Sequence, residues 1–223
     1  MNYNLYHIFT AVVPVIYLIS FFCSLRTVQN KNLPAYMSGF FIYPTVGIII
    51  ASIYWLKFFK LIPQQYFYIS NSISIIFHFC FLTQFINKVT NHKNTKRLIN
   101  PLYVLFLIIL ILLVNVDIRE RSNISFSVAN FGICYYCIRY YHCLLQLPDK
   151  FNILEQSSFW AVTGIFFGMS MTIPACIFNL YLFKNTTSDI YLTLALIPTF
   201  SYGVMHLFFI KSFLCLAPVQ RQS

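Results

Sequence analysis

Few residues in this chain are of a type and spacing that could do chemistry. Cys134-Tyr-Tyr-Cys137 has the spacing of a redox Cys-x-x-Cys pair. That chemistry needs a thiolate, held by a helix N-terminus or a nearby positive charge. All seven cysteines fall in or beside apolar stretches, where a free thiol packs as a small hydrophobe. A structural zinc site needs four ligands in a closed geometry, and one cysteine pair does not supply it. The sequence therefore leads to no expected metal ligand set and no cofactor.

Histidine and arginine are the better leads. His78 and His206 sit in two apolar stretches that run in the same direction, at similar depths. Two facing imidazoles could hold haem or a metal ion; equally, each could hydrogen-bond to a neighbouring helix. Arg139 and His142, in Cys137-Ile-Arg139-Tyr-Tyr-His142-Cys143, are three apart and share a helical face. A charge inside a membrane span marks a functional site by default, although a long side chain can also snorkel to the interface. Arg139, His142, His78 and His206 are the candidate polar site.

The elements that must position these residues are read from composition. Of 223 residues, 59% are hydrophobic and only 9% charged, against about 25% charged in a soluble domain. So few charges cannot cover a water-facing surface, which excludes an ordinary soluble fold. A helix needs about 20 mostly apolar residues to cross the hydrocarbon core. Stretches of that kind cover 5–25, 35–56, 66–87, 98–116, 124–147, 159–183 and 190–216. The expected fold is all-α: one polytopic domain, 1–223, of seven transmembrane helices. Pro14, Pro44, Pro174 and Pro198 interrupt four spans and are expected to bend them, with the freed carbonyls satisfied by neighbours.

Orientation follows from Lys and Arg in the short loops and helix ends. With the N-terminus outside, the inner side carries Arg26, Lys31, Lys88, Lys93, Lys96, Arg97, Arg139, Lys150, Lys211 and Arg221. The outer side carries Lys57, Lys60, Arg119, Arg121 and Lys184. Ten against five favours N-out, C-in. The same excess explains the net charge of +10 without nucleic acid, which is not an expected partner. Met1 to His7 has no basic n-region, so the first span is expected to stay as a helix rather than be removed. No extramembrane stretch approaches the roughly 40 residues an independent domain needs. Phosphate-binding loop, nucleophile-elbow and His-Glu-x-x-His motifs are absent, and no enzyme is expected.

The C-terminal third carries a resemblance. Tyr140-Tyr141 leads to Leu144-Leu145-x-Leu147-Pro148; Ser158-Phe159-Trp160 heads the sixth span and Gly164 follows; Tyr202-Gly203 and Phe213-x-Cys215 close the seventh. Residues 136–215 resemble small seven-helix membrane proteins of Bacteroidetes-type bacteria, similar to the modules that precede sensor histidine kinases. Gly168 and Ser170-Met171 depart from that pattern, where an aromatic residue is expected. The resemblance implies a bacterial inner-membrane protein and a non-enzymatic sensory or signalling role. With no output domain of its own, it would act through a separate sensor kinase or other signalling protein. Trp160 is expected to anchor its helix at the inner lipid interface. The alternatives are a small-molecule permease with proline-bent helices, compared with seven-helix sugar transporters through Phe40-Phe41-x-x-Pro44 and Phe166-Phe167, and a haem- or metal-binding membrane protein.

Overall fold

Long runs of Ile, Leu, Phe and Val leave the backbone few side-chain partners. The helix satisfies every N–H and C=O within its own segment. The computed structural model describes residues 3–28, 34, 36–37, 39–58, 61, 63–90, 104–106, 108–109, 118–146, 152–185 and 188–216, and all regular structure among them is helical. The helices are α1 (Tyr3–Val28), α2 (Ile42–Phe58), α3 (Gln64–Thr90), α4 (Ile118–Leu144), a single 3-10 turn (Ile153–Glu155), α5 (Ser157–Asn185) and α6 (Ser188–Leu216). Segments Ser72–Thr90, Ser157–Phe178 and Leu196–Leu216 are long and apolar enough to cross a membrane, and Val12–Arg26 and Ile42–Ile53 are shorter apolar helices.

The first, third, sixth and seventh expected spans lie inside α1, α3, α5 and α6. The fifth (124–147) starts earlier, at Ile118, and ends at Leu144. Most of the fourth (98–116) lies outside the described residues; its helical pieces are 104–106 and 108–109.

The second span is a correction. It is not a helix from residue 35, because α2 begins only at Ile42. Before it the chain runs through i→i+3 turns: the Met37 N–H donates to the Pro34 carbonyl (2.8 Å), Phe40 to Met37 (2.9 Å) and Ile42 to Gly39 (3.1 Å). Pro44 explains the break. It has no N–H, and its ring clashes with the carbonyl four residues back, whereas both are tolerated in a first helical turn. Pro44 therefore starts a helix instead of bending one. Pro14, Pro174 and Pro198 do stand inside helices, as expected.

The helices pack as a closed ring in chain order, α1 against α2, and so on to α6 against α1, with the α5–α6 contact the most extensive. Two glycines make that contact close. A Cβ on Gly164 would lie 2.6 Å from Phe208 Cβ, and one on Gly168 would lie 3.1 Å from Met205 Cβ. Small residues four apart let helix backbones approach in this way. As the chain advances from Gly164 to Gly168 its partner falls from Phe208 to Met205, so α5 and α6 are antiparallel. Tyr36, Phe40 and Tyr43 meet Phe85, Phe81 and His78 in reverse order, so α2 and α3 are antiparallel too. Phe40 and Tyr43 also meet Phe213 and His206, making α2 antiparallel to α6 and α3 parallel to it. Tyr140, late in α4, meets Ser158, early in α5. Helices α3, α4 and α6 thus point one way, and α2 and α5 the other.

Polarity is arranged inside out. Leu18, Phe22, Ile73, Phe131, Ile138 and Phe178 face outward, while several buried hydroxyls turn back onto their own helices. Thr83 donates to the Phe79 carbonyl (2.5 Å), Thr172 to Gly168 (2.6 Å) and Ser201 to Ile197 (2.7 Å). This local back-bonding hides a hydroxyl without a partner helix, as an apolar surrounding requires.

Candidate functional site

The interior of the ring holds a cluster of neutral polar side chains. His206 is 1% exposed. Its ring lies 4.1 Å from that of Tyr17 on α1 and 5.9 Å, stacked, from that of Tyr43 on α2. The Tyr43 hydroxyl and His78 Nδ1 share a 2.6 Å hydrogen bond. Tyr202, one turn before His206, has its ring 6.0 Å from His78 and 6.5 Å from Phe126 of α4. Helices α1, α2, α3, α4 and α6 contribute.

Local sequence explains the convergence. Tyr202 and His206 are four apart and share a face of α6. The break before α2 delivers Tyr43 in the first turn of its helix, level with the middle of α3. Gly47, one turn on, keeps the space beside it clear: a Cβ there would lie 3.3 Å from the Tyr17 ring and 3.9 Å from His206 Nε2. Below the cluster the ring is filled by Phe40, whose ring lies 4.4 Å from Phe85 and 4.9 Å from Phe209.

The cluster's hydrogen bonding is incomplete. Among the described residues, His206 Nδ1 and the Tyr202 hydroxyl are buried without a hydrogen-bond partner, as are Ser20 Oγ, Ser125 Oγ and Asn130 Nδ2 elsewhere in the bundle. Leaving such a group unpaired costs about 1–3 kcal/mol.

No group of three or more His, Cys, Asp or Glu side chains that could hold a metal ion occurs among the described residues. The chain matches no protein-family model, no curated protein and no solved structure. Its site is therefore argued from geometry alone.

Of the four residues grouped from sequence, the structure brings together two. His78 and His206 both pack on the Tyr43 ring. Arg139 and His142 do not join them: their neighbours Tyr136, Cys137 and Tyr140 are among the buried positions of α4, whereas Arg139 is half-buried and His142 exposed. Sequence reasoning missed Tyr17, Tyr43 and Tyr202. Only Tyr202 carried a readable signal, its i, i+4 spacing to His206. Cys134 and Cys137 are buried free thiols, and Cys137 lies in the hydrophobic core.

Trp160 organises one end of the bundle. Its Nε1 donates to the Leu154 carbonyl (2.8 Å), its ring stacks on Phe208 at 6.0 Å, and the Lys211 ammonium lies 5.7 Å from its centroid. Three further bonds join the helices at this end. Tyr140 pairs with Ser158 (3.2 Å), the Tyr141 hydroxyl donates to Thr163 Oγ1 (3.0 Å), and Ser212 donates to the Ser157 carbonyl (2.7 Å).

Proposed function

We propose that this chain is a non-enzymatic, multi-pass protein of a bacterial inner membrane. In this reading it is a sensory or signalling module that acts through a separate partner, such as a sensor kinase. The observation that carries this is the Tyr17–Tyr43–His78–Tyr202–His206 cluster. Four helices place neutral hydrogen-bonding groups around one point, and two of those groups have no hydrogen-bond partner among the described residues. A molecule bound there would alter the contacts of α1, α2 and α6 together, which is what a sensing bundle requires. The phenylalanines packed below the cluster favour a closed binding site over a pore.

Seven passes with the N-terminus outside are part of the proposal. The parallel course of α3 and α4 is consistent with a further pass between them in the chain order. Phe106 supports that path: it is 4% exposed and stacks 4.1 Å from Phe79, midway along α3. The end of the bundle where α3, α4 and α6 finish carries Lys88, Arg139 and Lys211, and Trp160 lies there as an inner interface anchor. Capture of a histidine kinase or other signalling protein from native membranes tests the sensory role. Recovery of the folded chain free of any such protein would count against it.

The permease reading keeps one specific support. Irregular backbone at membrane depth is tolerated where it is buried in protein or lines a cavity, and interrupted helices build transporter sites. The turns at 36–41 end beside the cluster. Uptake into proteoliposomes that is lost on changing Pro44 or Pro174 would favour transport over sensing.

A further inference from the structure

We propose that the unpaired groups of His206 and Tyr202 form a binding site for a neutral, lipophilic carbonyl compound. The inference rests on reading the cluster as ligand-responsive and names the ligand's class. Three observations define that class. Among the described residues, no Asp, Glu, Lys or Arg meets in the cluster, so a charged ligand would lie buried without a counter-charge, a large cost. The surrounding surfaces are rings, namely Tyr17, Tyr43, His78 and Phe126, which suits a flat, apolar molecule. The unsatisfied groups are a tyrosine hydroxyl and an imidazole nitrogen. Both can donate, they lie one turn apart on one face of α6, and a carbonyl oxygen has two lone pairs to accept them.

The Tyr43–His78 bond separates two satisfied groups from the two unpaired ones. It occupies Tyr43's hydroxyl and one nitrogen of His78, so those groups fix the walls while Tyr202 and His206 remain to recognise the ligand.

Benzophenone and diphenylmethane form a pair of probes, similar in size and in their two rings but differing in the carbonyl. Thermal unfolding of the detergent-solubilised full chain is followed as each is titrated. The expected result is saturable stabilisation by benzophenone and none by diphenylmethane, with affinity for benzophenone reduced roughly three- to tenfold in Tyr202→Phe. Tyr202→Phe without ligand should be at least as stable as the wild type, because it removes a buried unpaired hydroxyl; it therefore carries the test if His206→Phe does not fold. Equal stabilisation by both probes, no stabilisation by benzophenone, or unchanged benzophenone affinity in Tyr202→Phe would each overturn the proposal. Partner capture from native membranes is read separately, so a failed carbonyl site remains distinguishable from a failed sensory role.

Discussion

The Tyr43 hydroxyl and His78 Nδ1 share a 2.6 Å hydrogen bond that joins the second and third helices inside the bundle. Tyr43 is 1% exposed, so the bond has little water to compete with it. Tyr43→Phe keeps the ring stacking and removes only the hydroxyl, leaving a buried nitrogen unpaired. The expected cost is about 1–3 kcal/mol, measured as a lowered unfolding midpoint in detergent.

The close approach of α5 and α6 gives an ordered pair of outcomes. Gly164→Ala puts a methyl 2.6 Å from Phe208 Cβ and 3.0 Å from the Met205 carbonyl, atoms that cannot move without the helix. Gly168→Ala meets Met205 Cβ and Sδ, both at 3.1 Å, and a methionine side chain can adapt. Gly164→Ala should destabilise by about 1–3 kcal/mol and Gly168→Ala by less. Thermal melts of the two variants check the order.

These contacts show what could be read from sequence and what could not. Helix existence was legible for most spans, because long apolar runs offer the backbone only one way to satisfy itself. The second span failed because apolarity does not report where a helix starts. Pro44 carried that information, and was read as a bend when its place is the first turn. Depth made His78 and His206 candidates together, and the structure brings them to one cluster. Arg139 and His142 were grouped with them because spacing along one helix says which residues share a face, not which way that face turns. Tyr17 and Tyr43 were not legible at all among 16 tyrosines, since their role comes from packing between helices distant in sequence.

The position of Arg139, half-buried, and His142, exposed, apart from the cluster has its own consequence. Arg139→Gln and His142→Gln should each change stability by no more than about 0.5 kcal/mol and leave ligand binding at the cluster intact. Binding titrations beside Tyr202→Phe check this; a loss as large as that variant's would return Arg139 or His142 to the site.

Trp160 fixes the turn at Ile153–Glu155 through its bond to the Leu154 carbonyl. Trp160→Phe keeps a ring against Phe208 but removes that donor. Amide hydrogen exchange at residues 153–156 should speed up while the global melting temperature hardly moves. Unchanged exchange would show that the Asn152 cap, whose side chain accepts from the Leu154 N–H at 3.3 Å, holds the turn unaided.

Helix directions place Leu61 and Leu145 at opposite ends of the bundle, and both are exposed, at 68% and 81%. In a cysteine-free background, Leu61→Cys and Leu145→Cys should react with a membrane-impermeant thiol reagent from opposite sides, Leu61→Cys from outside. Labelling of both from the same side would contradict the helix order and the N-out orientation together.

The central claim is that the Tyr–His cluster binds a molecule from the chain's own membrane. Native mass spectrometry of wild type and Tyr202→Phe, purified identically from the source membranes, tests it most directly. A discrete small-molecule adduct is expected on the wild type and is absent or strongly reduced on the variant. Identical spectra for the two proteins would contradict it.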